Sequence, residues 1–402
     1  MKQRIGYIRN RYPEIRNIIN KGGESSTYVQ IGKVRLKLLL LSRAFEIIAR
    51  RVINRNISMN NDLHAVYKPV LRPKVDVIHT FNTVCDTSVP WVSTFETMVP
   101  RTNCLCCRDW ETGVLTPDRI TAHGFDLLAS DSCKALIALS EANRKMQLQI
   151  MKALNIQCRE TIANKIIVLP PPQQLLISRD ELNDKFKDIQ DCINFIFIGG
   201  LFFRKGGAQI LDAMDEMVAK GMKLHLTIVS SLVDDGFTHI SDEEKARYER
   251  MIVEKEWITH FSQLPNVQVL ELCKKAHVGL LPSMADTYGY SVLEMQAGGC
   301  PVITTDIRAM PEINNDECGY VISVPKYPST EAKYTTEDDL SLLKLTIYQG
   351  LLNILETLWM HPECIVAKAK ATVDRIENEH SPERFAQSLS AIYHSAVGAS
   401  SK

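Results

Sequence analysis

The 402-residue chain lacks any uncharged apolar stretch near the roughly 20 residues that a membrane-spanning helix needs. Its N-terminus, MKQRIGYIRNRYPEIRN, has no apolar core of the kind a secretory signal carries. These two absences lead to the expectation of a cytosolic protein, or one on a cytosolic membrane face. There is no short-period repeat and no low-complexity tract, and no GxGxxG, Walker or DxD pattern. The eleven cysteines are odd in number and form no regular framework, so reduced thiols are expected and a disulfide-stapled scaffold is excluded. Neither sign of charge prevails, with 47 basic and 47 acidic side chains. What remains is 45% hydrophobic and 23% charged, an ordinary globular balance that excludes collagen-like and disordered chains. A chain of this length folds as two domains or three, each with a sizeable core.

The neutral total hides a dipolar chain. Residues 1–60 hold thirteen Lys/Arg against three Glu. Within them, KVRLKLLLLSRAFEIIARRVINR places Leu38, Leu41, Phe45, Ile48 and Val52 on one helical face, with Arg43, Arg50 and Arg51 away from it. That helix either packs on a sheet with a solvated basic side or turns a basic face to anionic lipid or a phosphate-bearing acceptor. Nucleic acid is not expected, because the region lacks interleaved aromatics and matches no nucleic-acid-binding motif. The one cysteine cluster is Cys104, Cys106 and Cys107; with Cys85 or His123 nearby it could reach a zinc-like ligand count, but ordinary thiols are the expectation.

Continuous apolar runs alternate with helical segments. They occupy 75–81, 90–95, 134–140 and 165–170 in the first half, and 193–200, 223–231, 266–270, 277–282, 300–306 and 319–325 in the second. Such runs read as strands buried on both faces of a parallel sheet. With helices expected over 206–219, 241–258 and 291–298, the chain reads as a doubly wound α/β protein. The proline-led stretch 170–191 is the expected linker. The first 60 residues offer only IGYIRN as a weak opening strand.

Two segments in the second half carry chemistry. In FIFIGGLFFRKGGAQILDAM a buried strand ends at Gly199-Gly200, and the following loop presents Arg204 and Lys205 before a helix. An arginine fork beside a lysine point charge suits a diphosphate at the carboxyl end of a parallel sheet; a solvated basic turn is the plainer alternative. In LPSMADTYGYSVLEMQAGGCPVITTD a loop holds Asp286 and the Tyr288-Gly289-Tyr290 turn, and a helix is expected from Ser291. Ser291 and Glu294 read as a capping box. The N–H groups of 291–293 favour an anion, while Glu294 and Asp286 can accept hydrogen bonds from ribose and sugar hydroxyls.

The stretch from Pro282 to Thr305 resembles the donor-site signature of family-four retaining glycosyltransferases of GT-B fold. Their pattern, E-G-F-G-x-x-x-x-E followed by A-x-G-x-P-V-I, is met here by D-T-Y-G-Y-S-V-L-E and M-Q-A-G-G-C-P-V-I. Asp286 stands where the family usually has Glu. FIGGLFFRKGG resembles the family's G-R-L-x-x-x-K-G loop, with Gly200 in place of its first Arg. VDVIHTF resembles the family's D-h-h-H strand end, and Glu96 stands where a His is frequent.

The resemblance implies two Rossmann-like, doubly wound domains facing a cleft. An acceptor-side domain would span 1–175, a nucleotide-sugar-binding domain 176–382, and a helix over 383–402 would cross back to the first. The implied activity is retaining, metal-independent hexosyl transfer from a UDP- or GDP-sugar to a glycan or lipid-linked acceptor, in surface polysaccharide or glycolipid synthesis. Asp286, Glu294, Arg204 and Lys205 would form the catalytic set. Gly199, Gly200, Gly289, Tyr290, Ser291 and Val292 would line the donor, while His79 and Glu96 would be acceptor-side candidates. Glu96 could equally be a strand-end carboxylate satisfied by Arg101. No metal or other cofactor is expected. Rival expectations are a sugar-nucleotide epimerase or phosphorylase of the same fold, and a non-catalytic nucleotide- or glycan-binding protein.

Overall fold

The computed structural model describes residues 2–31, 64–69, 71–106 and 115–398. The 33–55 segment read as an amphipathic basic helix lies outside the described residues, as does Cys107. The chain divides into two compact units, Met1–Pro172 with Pro382–Lys402, and Gln173–Ser381.

The first unit contains β1 (Gln3–Tyr7), β2 (Ser26–Gln30), β3 (Val66–Tyr67), β4 (Val77–Phe81), β5 (Val84–Cys85), β6 (Trp91–Phe95), β7 (Cys133–Ala138) and β8 (Ile166–Val168). Six of them form one sheet in the order β2-β1-β4-β6-β7-β8, while β3 pairs with β5. Every pairing is parallel. All five residues of β4 and of β6 are buried, which explains their unbroken apolar and threonine-rich sequence. The helix Arg119–Ala129 starts where Asp118 accepts a bond from the Thr121 N–H. Ser140 caps Glu141–Ala153 in the same way. These helices bring Phe125, Leu128, Met146 and Ile150 against Trp91 and Phe95.

The other face of this sheet is covered by the last helix, Pro382–Gly398. Its Phe385, Leu389, Tyr393 and Ala396 repeat at helical spacing and pack on Ile5, Val77, Val92, Ala135 and Ile137 from four strands. Polar contacts fix the register: Ser25 and Ser390 hydroxyls lie 2.9 Å apart, and the Tyr393 hydroxyl lies 2.7 Å from His79 Nδ1.

The second unit adds β9 (Ile193–Ile198), β10 (Leu224–Val229), β11 (Ile258–Phe261), β12 (Val278–Leu281), β13 (Val302–Thr305) and β14 (Tyr320–Ile322). They pair in parallel in the order β11-β10-β9-β12-β13-β14. This is the doubly wound order of dinucleotide-binding folds, with the switch point between β9 and β12. Helices Gly207–Ala219, Asp242–Glu254, Asn266–Lys275, Tyr290–Ala297, Glu337–Met360 and Glu363–Glu379 complete it.

Three sequence expectations are corrected. Residues 266–270 are not a strand but the opening of the helix Asn266–Lys275: Val269 and Cys273, four apart, are buried, whereas Val267 is 72% exposed. The strand of that region is β11, of which only Ile258 falls within the expected helix 241–258, while the other three residues have no expected element. It pairs only with β10, so it needs apolar residues on one side alone. At the N-terminus, β1 begins two residues before IGYIRN and takes β2 as a neighbour, a strand the sequence reading did not find. Among the described residues no helix is long and apolar enough to cross a membrane.

Removing Pro382–Lys402 uncovers one face of the first sheet. With burial worth roughly 1.5–3 kcal/mol for each large apolar side chain, the loss of Phe385, Leu389 and Tyr393 together should destabilise this unit by several kcal/mol. The check is a melting transition of the truncated chain, which should be markedly lowered; an unchanged transition contradicts the packing.

Candidate functional site

The candidate site forms where β9 and β12 lie side by side and their chains leave the carboxyl edge of the second sheet. After β9, Phe202 and Phe203 turn inward as buried anchors: Phe202 packs edge-on against Phe197 and Phe203, each at 5.3 Å. Arg204 and Lys205, between these anchors and the helix Gly207–Ala219, remain partly exposed. Gly206, with φ +83°, ends the loop, and a Cβ there would stand 2.4 Å from the Pro282 carbonyl oxygen. Only glycine permits this approach between the two strand-end loops. The Met284 N–H donates to the Arg204 carbonyl at 3.0 Å and joins them again.

Lys205 forms an ion pair with Asp286, their side chains 17% and 10% exposed. The other Asp286 oxygen accepts from the Tyr288 N–H at 3.3 Å. Arg308 Nη1 donates to the Asp286 carbonyl at 3.2 Å. Arg308 is itself held by Glu331 at 2.6 Å, with the pair 7% and 1% exposed. Such a pair is uncompensated if either partner is removed, so it pins the loop from below. Arg204 takes a separate partner, Asp235 at 2.9 Å, and its guanidinium lies 5.6 Å from the Phe237 ring centroid.

The helix Tyr290–Ala297 begins one residue earlier than the sequence suggested, and its N-cap is Gly289, with φ +93°. The expected capping box is therefore absent: Ser291 lies inside the helix. A Cβ on Gly289 would meet Met310 Cε at 2.8 Å. The Val292 N–H already donates to the Gly289 carbonyl at 2.9 Å, so it is not available to an anion as expected. Tyr290 and Ser291 are half-buried, Tyr288 is buried, and the two tyrosine rings lie 5.3 Å apart. Glu294, 6% exposed, sits one turn into the helix. Gly199 is half-buried; Gly200 is exposed, and a Cβ there would meet nothing within 4 Å.

His79 and Glu96 belong to the first unit. His79 is wholly buried, with Nδ1 at 2.7 Å from the Tyr393 hydroxyl and Nε2 at 2.8 Å from Thr94 Oγ1. This corrects its expected place facing an acceptor: both ring nitrogens are engaged in docking the last helix. Glu96 directly follows β6 and is held by Arg101 Nη1 at 2.8 Å and Asn82 Nδ2 at 3.2 Å. Among the described residues no group of three or more His, Cys, Asp or Glu side chains could hold a metal ion. Sequence reasoning missed Arg308, Glu331 and Asp235, whose partners lie 22 to 31 positions away and follow no local pattern.

Residues 178–333 match the model of the family Glycosyl transferases group 1. The matched residues all lie within the second unit. Among curated relatives, it is 21% identical over 210 residues to the phosphatidylinositol N-acetylglucosaminyltransferase gpi3 subunit of Schizosaccharomyces pombe, covering 51% of this chain and 42% of that protein. It is 28% identical over 167 residues to the serotype-specific mannosyltransferase WbdA of Escherichia coli, covering 41% of this chain and 19% of that one. The chain thus spans less than half the length of the curated relatives it matches. Among solved structures, Anabaena Alr3699/HepE in complex with UDP-glucose superposes with TM-score 0.57 at 13% identity, covering 98% of this chain and 100% of that one. WaaG, a glycosyltransferase of lipopolysaccharide biosynthesis, superposes with TM-score 0.55 at 14% identity, covering 96% and 99%. The chain shares the fold of these structures, GT-B.

Two of its properties invite direct tests. Gly206→Ala should lower the melting temperature, since strain at a positive φ costs about 1–3 kcal/mol even before the contact with Pro282. Gly200→Ala should leave it unchanged. A second test follows from His79, whose pKa burial lowers from 6.5 to about 3. The unfolded chain therefore takes up a proton that the folded one refuses. The stability tied to this ring is complete above pH 6.5 and is lost as pH falls toward about 3, by about 1.4 kcal/mol per pH unit at most. Melting followed from pH 7 to pH 4.5 should show a shallower decline in His79→Gln than in the native chain.

Proposed function

We propose that the chain is a retaining, metal-independent glycosyltransferase that moves a sugar from a UDP- or GDP-sugar to a glycan or lipid-linked acceptor. The observation that carries this reading is the Lys205–Asp286 pair at the switch point of the second sheet, beside the Gly289 cap and Glu294. The family match over residues 178–333 and the UDP-glucose held by the Anabaena neighbour support a nucleotide-sugar donor. Lys205 offers its ammonium to the diphosphate, and Arg204 a second cation. As the glycosidic bond breaks, negative charge grows on the leaving phosphate, and fixed cations there stabilise the transition state. Asp286, once the diphosphate draws Lys205 away, has carboxylate oxygens to accept sugar hydroxyls. Glu294 receives the ribose hydroxyls. In front-face transfer the departing phosphate takes the acceptor's proton, so no protein nucleophile is assigned. The mannosyltransferase and phosphatidylinositol-modifying relatives support polysaccharide or glycolipid synthesis. The basic excess in residues 1–60 supports work at an anionic membrane surface.

The test is a screen of UDP-, GDP-, ADP- and TDP-sugars with and without EDTA, recording melting temperature and released nucleoside diphosphate. One donor should stabilise the chain and be turned over despite EDTA. Lys205→Ala and Glu294→Ala should remain folded, and Lys205→Ala should lose about 100-fold or more in turnover. Near-native turnover in either variant removes the proposed site.

A further inference from the structure

The first unit has a switch point of its own. Its sheet runs one way from β1 to β2 and the other way from β4 to β8, so the carboxyl ends of β1 and β4 border a crevice. An open pocket of ≈ 210 Å³ lies there, lined by Arg9, Arg11, Glu14, His64, Glu96 and Arg101 among others. Arg9 stands two residues beyond β1, and Glu96 immediately beyond β6.

Most charges in this pocket are accounted for, and two are not. Arg101 and Asn82 hold Glu96 at 2.8 and 3.2 Å. Glu14 is 5% exposed, and burial pushes its carboxyl pKa up. Arg9 and Arg11 make no ion pair within 4.0 Å among the described residues. Burial, and then the neighbouring Arg11, lower the pKa of Arg9, while the nearby Glu14 opposes them; Arg9 is half-buried and Arg11 exposed, so both forks can be reached from solvent. His64 is kept neutral, its pKa lowered to about 4 by burial and then by Arg9 and Arg11. Its buried Nδ1 has no hydrogen-bond partner among the described residues. Two adjacent guanidinium forks and a neutral imidazole suit a tetrahedral oxyanion, which offers more acceptor positions than a carboxylate and can bridge both forks.

We propose that this pocket binds the phosphate group of an anionic ligand through Arg9 and Arg11. Naming that ligand as the acceptor rests on the transferase reading; the phosphate site itself does not. The phosphate belongs either to a soluble sugar phosphate or to a lipid headgroup, and the two sources are separable by experiment.

Binding to the full chain is measured with glycerol 3-phosphate by calorimetry, and with phosphatidylcholine vesicles carrying phosphatidic acid by co-sedimentation. At least one probe should bind, and R9Q/R11Q should weaken it by about tenfold or more, the scale of losing charge-assisted hydrogen bonds. Lys205→Ala, which lies in the other unit, should leave that binding unchanged. Binding of the soluble probe assigns a sugar phosphate, and binding confined to vesicles assigns a lipid headgroup. R9K/R11K keeps the charge without the forks and should fall between native and R9Q/R11Q, and it serves if the glutamine variant does not fold. The proposal is overturned if neither probe binds, if R9Q/R11Q binds as the native chain does, or if Lys205→Ala abolishes binding. UDP stabilisation of R9Q/R11Q should match the native chain. A native chain that ignores every nucleotide sugar yet binds phosphate through Arg9 and Arg11 would remove the transferase reading and leave the pocket standing.

Discussion

The ion pair between Lys205 and Asp286 is the contact around which the second unit's loops are arranged. It forms only if two chains leaving neighbouring parallel strands come within bonding distance, 81 positions apart in sequence. Each surrounding feature serves that approach. Gly206 lets the Pro282 carbonyl come close, the Met284 N–H reaches the Arg204 carbonyl, and the buried phenylalanines keep the first loop from lifting away. Arg308 and Glu331 hold the second loop from the side of β13 and β14. A cation and a carboxylate placed in this way neutralise one another until a ligand with its own phosphates and hydroxyls replaces each partner for the other.

The first unit follows a different logic. Its most buried histidine is directed at the chain's last helix instead of at solvent, and that helix closes a sheet face which would otherwise be bare. A neutral imidazole with both nitrogens satisfied incurs little penalty for burial, whereas a charged one would. Its exposed chemistry lies instead at the strand ends, where arginines from one end of the chain meet groups delivered by β4 and β6.

Much of the architecture was legible because buried parallel strands are written as unbroken apolar runs. The doubly wound reading and most strands of both sheets came from that pattern. It failed where the pattern weakens. NVQVL has the composition of a strand, yet Val269 and Cys273 are buried at helical spacing. β11 is an edge strand of four residues, and β2 has no fully buried residue, so neither carries a continuous apolar run. The loop chemistry was legible because Arg204 with Lys205, and Asp286 with Glu294, each lie within one short segment. The capping box was misread because Ser291 and Glu294 have the right spacing, while Gly289 in a left-handed conformation had already begun the helix.

The sequence by itself determined the periodicities, and with them the alternating α/β order, the glycines that allow tight strand-to-helix turns, and the residue types delivered to each strand end. Only the tertiary structure decided which of those residues meet. Hydrophobic runs specify burial without naming a partner, because the hydrophobic effect is non-directional. Strand order in the two sheets is what brings Lys205 to Asp286, Arg308 to Glu331, and His79 to Tyr393, and what gathers Arg9, Glu96 and Arg101 around one pocket. Ion pairs and hydrogen bonds act over a few ångströms, so contacts between residues tens or hundreds of positions apart exist only once the sheets have formed.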